Sequence, residues 1–386
     1  MRWLDNLKRL LIIILFSFLV SKAFPQKTVF DSTVVHGIKE IYNLQFADAQ
    51  NTFKNLIAKY PDKPQGKFFI AMIDWWKILV DPDNETYDDT FYKKIKNVIN
   101  QCDDILDKDP DNEDALFFKG GAIGFRGRLR AFRDSWLKAA DDGRIALPIV
   151  EKAWKLDPKN VDVQLGFGIY NYYAAVIPDE YPVIKPLMIF FPSGNKEKGI
   201  KQLENVAWNG LYAKYEARYF LMTLYFDYEK DANKADKWAK MLTADFPDNP
   251  VFERWSGRIA VKRGDYFLAD SIFKDVLRKA DKNYYGYNNP NARREAAYYI
   301  AFKAKMVGDI STAKNYFDQC VKYSLMIDKK EASGFLINSY LYLGMIDDSQ
   351  GNRNEAVSYY KKLLDLREFG NSHKLAEKYL KQPYKQ

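Results

Sequence analysis

An all-α solenoid of about eight helical hairpins is the fold class this sequence predicts, and three observations predict it. Small residues recur twelve positions apart: Gly37 and Ala49, Gly257 and Ala269, Ala301 and Ala313, Gly344 and Ala356. Four positions after each alanine stands an aromatic, at Phe53, Phe273, Phe317 and Tyr360. Similar closing sequences, KYPDK, KDPDN, LDPKN and DFPDNP, punctuate the chain at Pro61, Pro110, Pro158 and Pro247. Self-similarity of this kind marks stacked supersecondary units, each too small to bury its own apolar face.

Each part of the pattern has a physical reason. The small residue lets the first helix approach its neighbour closely. The glycine five positions before the alanine, at Gly264, Gly308 and Gly351, accepts the left-handed conformation that ends a helix. The alanine lets the second helix pack tightly, and the aromatic fills the gap one helical turn on. Proline or aspartate then closes the unit. On this basis the hairpins fall near 30–63, 64–110, 112–158, 160–209, 211–247, 250–281, 292–325 and 335–368. The amphipathic stretch 372–382 is the C-terminal cap that an exposed last repeat needs. One continuous repeat domain over 24–386 follows, with no Gly- or Ser-rich linker inside it.

Ahead of the first hairpin, Arg2, Lys8 and Arg9 form a basic start, Leu10 to Val20 an apolar run, and Ser21-Lys22-Ala23 a small-residue site. This is the pattern of a secretory signal peptide over 1–23. The other reading is an uncleaved anchor, but spanning a bilayer takes about 20 apolar residues. No cysteine follows the run, so a lipoprotein anchor is not supported. Without residues 1–23, four basic residues and one acidic residue go, and the net charge falls from +8 to +5. That mild surplus does not point to nucleic acid, whose binders concentrate charge on one face. Export leads to the periplasm or the outer membrane, or outside the cell.

Cys102 and Cys320 both lie on apolar helix faces. They read as buried free thiols, although an exported protein could join them. Only His36 and His373 are present, which excludes a histidine-rich metal site.

The third hairpin carries an unusual segment, KGGAIGFRGRLRAFRDSW, with Gly120, Gly121, Gly124 and Gly127 among Arg126, Arg128, Arg130 and Arg133. A phosphate loop would need GxxxxGK and Ser or Thr, which is absent. The glycines permit close helix contact. The arginines either pair with Asp134, Asp141 and Asp142 or form an anion-binding patch, since guanidinium suits carboxylate and phosphate.

In the fourth hairpin an insertion at 176–195 holds Pro178, Pro182, Pro186 and Pro192 among apolar residues. Proline breaks helices, yet the stretch is too apolar for a plain solvated loop. Its 176–193 connector is either a lid packed on the solenoid or an exposed membrane or partner contact.

The repeat residues resemble the tetratricopeptide repeat, a helix–turn–helix unit of 34 residues. The resemblance implies a right-handed superhelix whose first helices line a concave face that commonly holds an extended peptide. On those helices Arg254, Arg258 and Lys262 recur every four positions and share one stripe. Tyr298, Phe302 and Lys305 form the corresponding stripe of the next hairpin, and Asn338 starts the one after. Basic beside aromatic side chains suits an acidic peptide or a carboxylate; the bland reading is a solvated charged face beside core aromatics.

Residues 161–206 also resemble, more remotely, the Iml2-like tetratricopeptide family of eukaryotes. The carrying residues are Gly166, Gly168, Asn171, Ile177-Pro178, Gly194-Asn195-Lys196, Gly199 and Leu203. Proteins of that family are regarded as non-enzymatic adaptors in organelle and lipid-droplet upkeep. This chain departs from them in its signal peptide and its longer, more proline-rich connector.

HExxH, GxSxG and CxxC do not occur, and GFGIYN lacks the third glycine of a dinucleotide fingerprint. The paired carboxylates Asp103-Asp104 and Asp347-Asp348 are expected on solvated helix faces. The expectation is therefore an exported scaffold without catalysis, cofactor or metal, which binds a protein or an acidic peptide in its concave groove. The alternative is an envelope protein that binds a glycan on its tyrosines and tryptophans or a lipid under the 176–193 connector.

Overall fold

A computed structural model describes residues 28–180 and 192–385. The expected signal peptide and residues 181–191 of the connector lie outside the described residues. Among the described residues there is no strand, and seventeen α-helices follow one another. In chain order they are α1 (Val29–Tyr42), α2 (Phe46–Lys59), α3 (Gln65–Val80), α4 (Asp88–Leu106), α5 (Glu113–Phe132) and α6 (Trp136–Leu156). Then come α7 (Gln164–Glu180), α8 (Lys196–Asn209), α9 (Lys214–Asp227), α10 (Ala232–Asp245), α11 (Pro250–Lys262) and α12 (Tyr266–Asp281). The last are α13 (Pro290–Met306), α14 (Ile310–Ile327), α15 (Gly334–Ser349), α16 (Arg353–Leu364) and α17 (Ser372–Lys381). Consecutive helices pack as eight hairpins, α1–α2 through α15–α16, and α17 covers α15 and α16 as the cap.

The repeat signature has a direct geometric meaning. A Cβ added to Gly37 would lie 2.5 Å from the Phe53 ring, and one on Gly257 2.6 Å from the Phe273 ring. The aromatic of the second helix therefore sits on the bare backbone of the first. Tyr360 lies over Gly344 in the same way. Phe53, Phe273, Phe317 and Tyr360 are all fully buried. The turn glycines Gly264, Gly308 and Gly351 have φ of +76°, +79° and +80°. Leu44, Asp134 and Lys230 take the same place in their hairpins with φ of 59°, 57° and 55°. The closing sequences also start the next unit: Asn112 and Asn249 cap α5 and α11, accepting from Ala115 N and Val251 N, with Pro250 at the first helical turn.

The connector is shorter than expected. α7 continues through Pro178 to Glu180, so the first five residues assigned to the 176–195 insertion are helical. Pro178 lies inside the helix and has no N–H to give to the carbonyl of Ala174. Glycines hold α7 to α8: an added Cβ would lie 2.8 Å from Leu203 at Gly168 and 2.6 Å from Tyr172 N at Gly199.

The superhelix closes on itself in its first six hairpins. Tyr42, at the end of α1, has ring centroids of Trp76, Tyr215 and Phe246 at 4.5, 5.2 and 5.2 Å, and Phe252 at 6.1 Å. Its hydroxyl donates to Glu216 at 3.1 Å, and its carbonyl accepts from Asn249 Nδ2 at 2.8 Å. One large apolar core spans Val34 to Ile259, with a small separate cluster of Leu116, Val150, Ala153 and Val163 beside it, whereas the last hairpins carry smaller, separate cores. The expected open groove is thus absent from this part of the chain: side chains of the first helices fill the concave face themselves.

Candidate functional site: the inner face of the last hairpins

The expected arginine sites are occupied from within. Arg126 and Arg130 both bond Asp142, at 2.5 and 2.7 Å, and Asp142 is fully buried between them. Arg128 bonds Glu216, and its guanidinium lies 4.5 Å from the Phe220 ring and 4.7 Å from Trp75. Arg133 bonds Asp88 at 2.6 Å and the Pro82 carbonyl at 2.8 Å. Of the two readings of this segment, the internal network is the one built: Asp142 is a partner as expected, Glu216 and Asp88 take the place expected of Asp134 and Asp141, and Asp141 pairs with Arg144 instead. Two of the four glycines have the close contact expected of them: a Cβ on Gly120 would lie 2.7 Å from Val150, and one on Gly127 3.0 Å from Asp142 Cβ.

On α11 the same holds for Arg254 and Arg258. Both bond Glu295 of α13, Arg254 Nε at 2.7 Å and Arg258 Nη2 at 3.0 Å, with a further short bond from Arg258 Nε. Burial alone would raise the Glu295 carboxyl, but Arg258 and then Arg254 outweigh it and hold the group at about 2. This is a clamp between two hairpins.

What remains on the inner face is a strip of rings with two ammonium groups. On α13, Tyr298 and Phe302 stack with centroids 6.4 Å apart. Tyr342 of α15 joins them, 5.9 Å from Phe302, and the amide of Asn338 stands beside the Tyr298 hydroxyl. Lys305 reaches over Tyr342 at 5.3 Å and lies 6.0 Å from Tyr384 of the C-terminal tail. It is half-buried, its burial lowers its pKa, and among the described residues no carboxylate pairs with it. Lys262, at the end of α11, is exposed. It donates to the Phe226 carbonyl and sits 4.1 Å from the Phe226 ring. Burial first, and then Lys230, lower its pKa. Tyr342 and Tyr384 were not among the expected site residues; the first follows Asn338 by four positions and was visible as a stripe.

The pair Asp347-Asp348 corrects its expectation. Both carboxylates are buried. Asp347 takes Lys314 at 2.6 Å. Asp348 accepts from Tyr360 Oη and from the backbone N–H of Tyr384, each at 2.9 Å, and from Arg353. They anchor the last hairpin and the tail. Asp103 is half-exposed and pairs with Lys119 at 2.5 Å. Cys102 and Cys320 are free and buried, and burial raises their thiols to about 12 and about 11. Among the described residues no helix is long and apolar enough to cross a membrane.

No family model matches the chain, the Iml2-like one included, and no curated protein matches it either. Solved structures do, and they are tetratricopeptide-repeat proteins. The Cut9–Hcn1 hetero-tetramer of the APC/C is 13% identical, with a TM-score of 0.51, over 87% of this chain and 52% of that one. This chain therefore spans about half the length of that relative. Yeast Tom70 is 11% identical with a TM-score of 0.39, over 98% of this chain and 86% of that one. PilF of Pseudomonas aeruginosa is 15% identical with a TM-score of 0.43, over 67% and 96%. At this identity the likeness to Cut9 is one of fold: the chain is an all-α tetratricopeptide-type solenoid.

Proposed function

We propose that this chain is an exported scaffold, without catalysis or cofactor of its own, that binds a protein partner by the inner faces of α11, α13 and α15. The observation that carries the reading is Lys305. A half-buried ammonium among tyrosine and phenylalanine rings, with no carboxylate paired to it among the described residues, is held ready for an acidic group from elsewhere. Tyr298, Phe302 and Tyr342 supply rigid amphipathic contact area beside it, and Asn338 a planar amide. Lys262 adds a second positive end to the strip. The six expected arginines are left out of this site, because each already has a carboxylate. Their internal pairing also removes the basic patch that a nucleic-acid reading would need. Export rests on the sequence of residues 1–23, with cleavage near Ala23; intact-mass analysis of the native protein would then find Phe24 or a neighbour at its start.

The test uses the mature chain, 24–386, and fluorescent peptides of matched length, one rich in Glu and Asp with an aromatic anchor and one with the acids replaced by Gln and Asn. The acidic peptide should bind more tightly, and more weakly as salt rises. Lys305→Ala with Phe302→Ala should abolish the preference. Equal binding of both peptides, or binding unchanged in the double variant, would defeat the proposal.

A further inference from the structure

The superhelix also holds a cavity that the inner-face reading does not use. It lies between the end of α3 with the turn after it and the loop that joins α12 to α13. Its volume is about 280 Å³, just below the ~300–1,000 Å³ of drug-sized ligand clefts. The two walls are some two hundred residues apart in sequence and are pinned together. Asn291 Nδ2 donates to Asp83 at 2.8 Å. Gly286, at φ +80°, lets the loop touch α3: an added Cβ would lie 2.6 Å from Val80 and 2.9 Å from Pro250. Tyr287, next to it, is fully buried on Glu253 and Lys279. The loop is therefore a fixed wall.

What that wall shows to solvent is not ordinary loop surface. Tyr284 and Tyr285 are 40% and 50% exposed. Phe46 holds Tyr285 edge-on at 5.3 Å, and Lys77 holds Tyr87 of the opposite wall with its ammonium 4.9 Å from the ring. Between the rings stand side-chain amides that are only half used. Asn84 and Asn283 each use only the carbonyl of the amide, accepting from Thr86 N and Asn288 Nδ2. Among the described residues neither Nδ2 has an acceptor. Asp81 and Tyr285 both line the cavity, and the Tyr285 hydroxyl is raised to about 12 by burial, then by Tyr87 and Asp81.

These features select among ligand classes. Lys77 and Asp81 cancel, so the lining attracts neither anion nor cation. An apolar ligand would strand the amide N–H groups, at a cost of a few kcal/mol. A small ring with C–H groups on its faces and hydroxyls on its rim satisfies both parts: faces against tyrosine, rim to amide donors and a carboxylate acceptor. We infer that this cavity binds one neutral sugar ring of a glycan.

The mature chain can be titrated with maltotriose, cellotriose, xylotriose and chitotriose, read by saturation-transfer NMR and calorimetry. At least one should bind, with the ring protons of one unit saturated most strongly. Tyr284→Ala should weaken that binding about tenfold, the equivalent of ~1.4 kcal/mol. Asn283→Gly should weaken it too, while its melting temperature does not fall, because glycine suits the φ of +56° found there. Trp208→Ala, which removes an exposed ring elsewhere, should leave it unchanged. Binding of no trisaccharide at about 10 mM, weaker than −4.1 kcal/mol by a further factor of ten, overturns the inference. So does binding that both cavity variants retain, or that Trp208→Ala reduces equally. Failure here leaves the peptide experiment on the inner face untouched, and the reverse also holds.

Discussion

Replacing Glu295 by Gln should cost about 3 kcal/mol at neutral pH. The carboxylate is 2% exposed and is the shared partner of Arg254 and Arg258. Gln keeps the size and one acceptor oxygen but removes the charge, so two guanidinium groups are left against each other without compensation. Breaking a buried ion pair from one side costs ~3–5 kcal/mol. Linkage gives a similar figure. A carboxyl held at about 2 instead of 4.5 contributes roughly 3 kcal/mol once it is ionised. The folded value is the lower one, so this stability is present above the unfolded value and is lost as pH falls from about 4.5 towards about 2. Urea unfolding followed by circular dichroism at pH 7, 4 and 2.5 measures it. The gap between wild type and variant should be largest at pH 7 and should shrink at pH 4 and again at pH 2.5. A triple variant, Glu295→Leu with Arg254→Met and Arg258→Leu, should recover most of the loss. A gap below about 1 kcal/mol at pH 7, or the same gap at all three values, would refute the clamp.

Turn positions should respond with opposite signs. Gly308→Ala introduces a Cβ into open space at φ +79° and should lose about 1 kcal/mol from backbone strain alone, whereas Lys230→Gly, at φ 55°, should gain up to about 1 kcal/mol. Helix glycines should separate in the same denaturant titrations. Gly257→Ala drives a methyl into the Phe273 ring and should cost ~1–3 kcal/mol, while Gly124→Ala, with nothing within 4 Å, should stabilise α5 by about 1 kcal/mol. Cys102 and Cys320 should resist iodoacetamide at pH 8 in the native state and react in urea, because both thiols are inaccessible and raised well above that pH; fast native labelling, counted by mass spectrometry, would contradict their burial.

The eight hairpins and the capping helix were legible because a repeat states its packing rule several times. Gly37 with Phe53 is weak alone and strong when Gly257 with Phe273 and Gly344 with Tyr360 repeat it. Hairpins three and five carried the same register less visibly. Gly127, Asp134 and Ala139 hold the three positions, but Gly143 stands where the aromatic should be; in hairpin five Ala239 does. The turn there is made by Asp134 or Lys230 in place of glycine, so no single residue type marks it. The inner-face stripe of Tyr298, Phe302 and Lys305 was readable from helical periodicity. The fate of the arginines was not. Arg254 and Arg258 look free along their own helix, and their carboxylate comes from Glu295, in the next hairpin. Asp347-Asp348 misled for the same reason: two adjacent acids read as solvated until Lys314, Arg353 and the tail are brought against them. Curvature was the deepest omission. A periodic sequence says that units stack, and a small change in the angle per unit decides whether the concave face stays open or meets itself at Tyr42.

That meeting point also divides the chain by the time its parts need to form. Asn249 reaches the Tyr42 carbonyl across 207 residues, and the entropy of closing so long a loop must be met before the contact returns anything. Hairpin α15–α16 asks for no such loop: it packs on hairpin α13–α14 and on the cap α17. Rates of folding fall as contacts become less local. In refolding of the full chain, hairpin α15–α16 should therefore gain protected amides before the ring of Tyr42, Trp76 and Phe252 sets, as pulse-labelled hydrogen exchange would show; during synthesis that ring waits until α9 and α11 have left the ribosome. A nascent chain released before Phe252 exposes Trp76 and the rest of that aromatic face, which makes the unfinished N-terminal half the part that a holdase would need to cover.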